Sequence, residues 1–175
     1  MSFKHITVGD KCPQIVNAVI EIPKGSHNKY EYDEKTDEIR LDRVLFSAVF
    51  YLTDYGFIPQ TRSEDGDHLD IMVIISEPLF PGCVVEVRPI GILNMEDEMG
   101  KDTKIIGVAI KDPRLKEIKS INDLDDHYKK EIQNFFEVYK NLEGKPVSVR
   151  LWGGEEKAWK AIEDSRRRFQ NEKAA

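Results

Sequence analysis

At 175 residues the chain is close to the roughly 150 residues expected of one domain, so a single domain over residues 1–175 is expected. With 40% hydrophobic and 33% charged residues, and an ordinary 11 Gly and 8 Pro, it falls outside the disordered, collagen-like and low-complexity classes. A net charge of −6 argues against a protein whose task is to neutralise nucleic-acid phosphates, so any bound anion needs a local basic pocket or divalent metals held by carboxylates.

The N-terminus, Met1-Ser-Phe-Lys-His-Ile6, has no apolar signal core, and no apolar run approaches the roughly 18–20 residues of a membrane span. No membrane partner is expected, and the location is read as cytoplasmic. Cys12 and Cys83 stand far apart without a C-x-x-C spacing, which fits reduced structural thiols.

Residues 14–22 are rich in Ile and Val and run into Pro23-Lys-Gly25, the pattern of a strand entering a turn. Residues 28–32 form a second strand, on which Lys29, Glu31 and Asp33 share one face and Tyr30 and Tyr32 the other. Asp33 to Asp37 is a polar turn, and residues 38–43 return as the second arm of a hairpin ending near Arg43. The aromatic stretch 46–59 contains Gly56 and Pro59 and reads as a packed loop or short strands.

Residues 61–67 are polar and lead into the β-branched strand 69–75, so Asp65, Asp67 and Asp70 lie at a strand entrance. Residues 84–93 and 105–110 are strands, and the acidic segment 94–104 between them forms a charged hairpin tip. Tyr128, Ile132, Phe135, Phe136 and Tyr139 mark an amphipathic helix over 120–142, ended by Gly144 and Pro146. Val147, Val149 and Leu151 alternate as a last strand, residues 155–169 form a terminal helix, and the tail from Gln170 is expected to fray. The fold class is mainly β with flanking helices (α+β), a small barrel or curled sheet with about two α-helices outside it.

Three groups carry chemistry. Glu64-Asp-Gly-Asp-His-Leu-Asp70 offers closely spaced oxygen ligands of the kind Mg²⁺ takes, or else a solvated acidic turn. It is not an EF-hand loop, which would need an acidic or amide residue where Leu69 stands and Gly where Asp70 stands. The second acidic segment, Met95 to Lys104, is a solvated loop if taken alone. Two acidic loops beside strands of one sheet can share a mouth, however, and gathered carboxylates call for cations. Lys29, Arg43, Tyr55, Lys104, Tyr139 and Lys140 form a cationic and phenolic set suited to phosphate oxygens. Together the groups point to metal-assisted attack of water on a phosphoanhydride.

The sequence also resembles the soluble family I inorganic pyrophosphatases along nearly its whole length. The resemblance rests on collinear motifs: Glu21-Ile-Pro with Lys29-Tyr-Glu31, Asp42-Arg43, Tyr51 with Tyr55-Gly56, Asp65-Gly-Asp67 with Asp70, Asp97-Glu98 with Asp102 and Lys104, and Tyr139-Lys140. It implies a five-stranded OB-like barrel, Mg²⁺-dependent hydrolysis of pyrophosphate with several Mg²⁺ per site, and a homo-oligomer, with a hexamer favoured. By position, Asp65, Asp70 and Asp102 resemble ligands of the tighter metal site. Asp97 and Asp102, with Glu31 nearby, resemble ligands of the metals arriving with substrate. Asp67 matches the general base, and Lys29, Arg43, Lys104, Tyr139 and Lys140 match the phosphate clamp. Tyr55 lies beside the nucleophile, while Glu21, Glu98 and Tyr51 support from behind.

Two positions depart from the family pattern. His68 stands where Pro or Glu is usual, and Asp54 where Asn is common. A competing reading is a non-catalytic OB-type module that stacks single-stranded nucleic acid on Phe50, Tyr51 and Tyr55. Hydrolysis of a nucleotide or phosphate ester is a third, which the missing P-loop disfavours.

Overall fold

A computed structural model describes residues 2–97 and 100–174, with Asp97 described by its backbone alone. Among these residues the strands are β1 Val16–Ile22, β2 Asn28–Asp33, β3 Glu38–Val44, β4 Asp54–Ile58, β5 Leu69–Ile74, β6 Val84–Asp97, β7 Gly100–Ala109 and β8 Ser148–Gly154. The helices are α1 Asp126–Val138 and α2 Glu155–Ala174. Pairing runs β1-β4-β5-β7-β6, and β1 also pairs with β6, so five strands close a ring while β8 extends it from β6. β5 and β7 pair in parallel, and the other pairs of the ring are antiparallel. β2 and β3 form a separate hairpin. This is the five-stranded barrel with flanking helices expected from the sequence.

The β-branched strands form a barrel because both of their faces are buried, which a near-continuous apolar run requires. On β5, Leu69, Ile71 and Val73 turn toward one core with Ala18, Ile20, Ile105 and, from α2, Ala158 and Ile162. Met72 and Ile74 turn to the opposite side, where they meet Ile106, Val108, Leu93 and, from α1, Ile132, Phe135 and Phe136. Each of the Leu, Ile, Val, Met and Phe side chains among these contributes about 1.5–3 kcal/mol by leaving water. No described helix is long and apolar enough to cross a membrane, and Cys12 and Cys83 are free thiols.

The aromatic stretch, read as a packed loop or short strands, contains one short strand, β4, fully buried. Four other expectations need adjusting. The acidic hairpin is much shorter than the segment 94–104, because strand pairing continues through Asn94↔Thr103 and Met95↔Asp102 to Asp97↔Gly100. Leu93 and Met95, both almost wholly buried, anchor that extension. The first helix starts later than residue 120: Ser120 caps a separate 3-10 turn, Ile121–Asp123, and Asp125 then caps α1 by accepting from the His127 N–H at 2.7 Å. Finally, α2 stays helical to Ala174, with Lys173 Nζ 4.5 Å from the centre of the Phe169 ring. The simple alternation of the last strand also breaks. Leu151 pairs with Asn94 and Val149 with Met95, a register shift that turns Leu151 outward.

Candidate active site

The parallel pairing of β5 with β7 sets Asp70 opposite Lys104. Side chains alternate along a strand, so Asp102, two residues before Lys104, faces the same way. The Lys104 ammonium therefore bonds both Asp70 and Asp102, the latter at 2.6 Å. Burial alone would lower its pKa, but these two carboxylates hold it above the ordinary lysine value. On the other side of β5, Phe57 lies opposite Asp70, and Tyr55 shares its face. The Tyr55 hydroxyl donates to Asp70 Oδ2 at 2.7 Å, and burial, then the Asp70 and Asp102 charges, keep it protonated. The two acidic segments thus meet at one end of the α1 side of the sheet.

That end opens into a cleft of about 790 Å³ lined by Glu21, Lys29, Glu31, Arg43, Tyr51, Tyr55, Asp65, Asp67, Asp70, Asp102, Lys104, Tyr139 and Lys140, among others. The hairpin forms one wall. Lys29 and Arg43 are cross-strand partners, and Lys29 contacts Glu31 and, at 3.2 Å, Asp42. Burial would lower Lys29, and the Glu31 and Asp42 carboxylates outweigh it. Tyr139 caps the C-terminus of α1 and packs on Phe135 and Phe136. Lys140 Nζ stands 5.6 Å from the Tyr139 ring centre.

Asp65 and Asp67 lie on the loop between β4 and β5, which turns at Gly66 with φ +97°. Such a left-handed conformation suits glycine. The Asp67 N–H donates to Asp65 Oδ1 at 3.0 Å. Desolvation, followed by the like charges of Asp65, Asp70 and Glu31, pushes the Asp67 carboxyl above its ordinary range. Glu21 accepts from the Tyr32 N–H at 2.6 Å, and burial, then the Asp70 charge, pushes it up to about 8. Asp97 ends β6 and its side chain, like all of Glu98, lies outside the described residues.

The donor set is all carboxylate oxygen, as a hard divalent cation requires. Among the described residues no three such groups form a ready-made metal cage, and Lys104 stands between Asp70 and Asp102. Desolvation and then the like charges of Asp65, Asp70 and Glu31 raise Asp67, so a cation placed beside these carboxylates would relieve their repulsion. The residues therefore fit a divalent ion such as Mg²⁺.

The two departures have different roles. Asp54 does not line the cleft. It is fully buried, and its two oxygens accept the backbone N–H groups of Lys24 at 2.7 Å and Leu79 at 2.9 Å. Asp54→Asn would set an amide NH₂ against one of those donors. The expected cost is about 1–3 kcal/mol, seen as a lower denaturant midpoint with kcat unchanged; an unaltered midpoint would contradict the assignment. His68 does line the cleft. Its ring stacks on Phe57, centroids 4.9 Å apart, its Nδ1 lies 2.9 Å from the Thr61 carbonyl oxygen, and burial holds its pKa below the ordinary value.

Sequence reasoning gave no role to Glu143, whose nearly buried carboxylate accepts from Arg43 Nε at 2.9 Å, nor to Asp42, which contacts both Lys29 and Arg43. Arg43 Nη2 is left buried without a hydrogen-bond partner among the described residues. The stacking platform of the nucleic-acid reading is absent in its proposed form, since Tyr51 and Tyr55 are only 2% and 7% exposed.

Comparison with known proteins agrees with this geometry. A family model described as inorganic pyrophosphatase matches residues 18–170. The inorganic pyrophosphatase of Thermus thermophilus is 55% identical over 154 residues, covering 86% of this chain and 88% of its own. That of Methanosarcina mazei is 49% identical over 160 residues, covering 91% and 95%. The crystal structure of the Thermus thermophilus inorganic pyrophosphatase matches with a TM-score of 0.94 at 50% identity, over 97% of this chain and 99% of that one.

Proposed function

The chain belongs to the inorganic pyrophosphatase family and hydrolyses inorganic pyrophosphate to two orthophosphates, and from that premise we propose that the reaction takes place in the carboxylate-lined cleft with Mg²⁺ as its metal. The observation that carries this reading is the meeting of Asp70, Asp102, Lys104 and Tyr55 at one end of β5 and β7, beside the loop that bears Asp67. Asp65, Asp70, Asp97, Asp102 and Glu31 would hold the ions, with Glu21, Glu98 and Tyr51 behind them. Bound there, Mg²⁺ would shield the substrate's negative oxygens and acidify the attacking water.

The chain's own residues then do the rest. Lys29, Arg43, Lys104 and Lys140, with the Tyr139 hydroxyl, hold the phosphate oxygens by charge-assisted and neutral hydrogen bonds. Asp67 accepts the proton of the attacking water as the new P–O bond forms and the bond to the bridging oxygen breaks. Its raised basicity suits that task. The Tyr55 hydroxyl, donating to Asp70, fixes the direction of that carboxylate.

The metal assignment is tested by Asp102→Asn. The Mg²⁺ concentration for half-maximal rate is expected to rise tenfold or more, a scale of about 10–100-fold that even outer-shell changes reach. An unchanged Mg²⁺ requirement would contradict it. The match over residues 18–170 supports treating residues 1–175 as a single domain. A homo-oligomer, with a hexamer favoured, rests on the sequence resemblance, and a cytoplasmic location completes the proposal.

A further inference from the structure

The loop that carries Asp65 and Asp67 is exposed over residues 64–67, yet both carboxylates must be held in place to act. Its attachment to the rest of the protein centres on Arg62, beside a longer ion pair of 3.9 Å between Glu64 and Arg168 of α2. The guanidinium donates from Nε to Glu172 of α2 at 2.7 Å. From Nη1 it donates to Glu34, in the turn between β2 and β3, and to the Gly66 carbonyl inside the loop, each at 3.0 Å. Its central carbon lies 5.4 Å from the Phe169 ring centre. Backbone bonds reinforce the junction: the Arg62 N–H donates to the Ser165 carbonyl at 2.9 Å, and Arg168 Nη1 donates to the Arg62 carbonyl at 3.0 Å.

We infer that Arg62, braced by Glu172 and Glu34, is a positioning residue that ties the last turns of α2 and the β2–β3 turn to the Gly66 carbonyl and so holds Asp65 and Asp67 at the cleft. Single exposed ion pairs do little, but only 14% of the Arg62 side chain is exposed. Arg62 also lines the cleft. Its Nε and Nη1 are engaged by protein oxygens, and Nη2 lies 3.4 Å from Glu34 Oε1, so it acts through the loop rather than on phosphate. The planar fork matters, because a lysine ammonium cannot reach the same three partners in fixed directions. The helical tail of α2 thereby gains a task in the reaction. The inference rests on the proposed role of Asp67.

The test compares Arg62→Lys, Arg62→Met, Glu172→Gln and Asp67→Asn in the full-length protein, measuring kcat, KM for pyrophosphate and the Mg²⁺ concentration for half-maximal rate. A misplacement of about 1 Å can cost about 10²-fold in rate. Both Arg62 variants are therefore expected to lose about tenfold or more in kcat, with KM little changed and a raised Mg²⁺ requirement as Asp65 moves with the loop. Glu172→Gln is expected to show the same pattern more weakly. Unchanged kcat and Mg²⁺ requirement in Arg62→Met and Glu172→Gln would overturn the inference. A raised KM with kcat intact would also overturn it, making Arg62 a phosphate contact. If the Arg62 variants do not fold, Glu172→Gln alone decides by the same criteria. Full activity in Asp67→Asn would overturn the role of Asp67 and the inference with it, whereas an impaired Asp67→Asn beside normal Arg62 and Glu172 variants removes the inference alone.

Discussion

Asp67→Asn is expected to lower kcat for pyrophosphate by about 10²- to 10⁴-fold, the range a positioned general base contributes, with KM nearly unchanged. The substitution keeps the side chain's shape. The loop bonds at this residue run through its backbone, the N–H to Asp65 and the carbonyl oxygen to the Ser63 N–H, so the turn is expected to survive. What is lost is a carboxylate made more basic by desolvation and by the neighbouring charges of Asp65, Asp70 and Glu31. The phosphate clamp is supplied by other elements, which is why binding is expected to persist. A rate equal to that of the unaltered protein at saturating Mg²⁺ would remove the base from Asp67.

Gly56→Ala is expected to destabilise the fold severely. A Cβ at this position would lie 1.9 Å from the Val19 carbonyl oxygen, 2.8 Å from its carbonyl carbon and 2.9 Å from the Ile20 Cα. All three belong to the backbone of β1, so no side chain can swing aside. Gly56 pairs with Ile20 at the seam between β1 and β4, and relief would mean parting two strands of the closed ring. Costs above about 4–5 kcal/mol belong to such cases, against a total stability of about 5–15 kcal/mol. The expected result is insoluble protein, or a thermal midpoint lowered by about 10 °C or more. Gly154→Ala, where nothing lies within 4 Å, is the control and should melt nearly normally. A Gly56→Ala protein that melts like the control would contradict the packing described.

Elements with a strong local pattern were legible in the sequence. β1 and β5 show near-continuous β-branched runs, the hairpin shows its alternation, and α1 shows its stripe. β4 was only partly legible: the stretch 46–59 stayed open between a packed loop and short strands, because Gly56 and the surrounding aromatic residues mask a strand that is buried on both faces. With the strand's bounds fixed, parity would have separated Asp54 from Tyr55: neighbouring side chains point to opposite faces, so one holds two backbone amides while the other reaches Asp70.

The candidate site was legible as three groups of residue types, since carboxylates beside strand ends leave a local signature. Its supports were not. Glu143 is 100 residues from Arg43, and Glu172 is 110 from Arg62. An ion pair across such a separation has no local pattern and arises only when the barrel closes. His68 and α2 show the same limit, because the stacking of His68 on Phe57 and the bond from Arg168 to the Arg62 carbonyl arise only in the tertiary fold.

The most direct test of the account is phosphate release by the purified protein from pyrophosphate, ATP and a simple phosphomonoester, each with Mg²⁺ and with excess chelator. The account predicts rapid release from pyrophosphate alone, lost on chelation and restored by added Mg²⁺. Undiminished release from pyrophosphate in the presence of chelator, or no release with any divalent ion, would contradict a reaction that depends on cations held by these carboxylates.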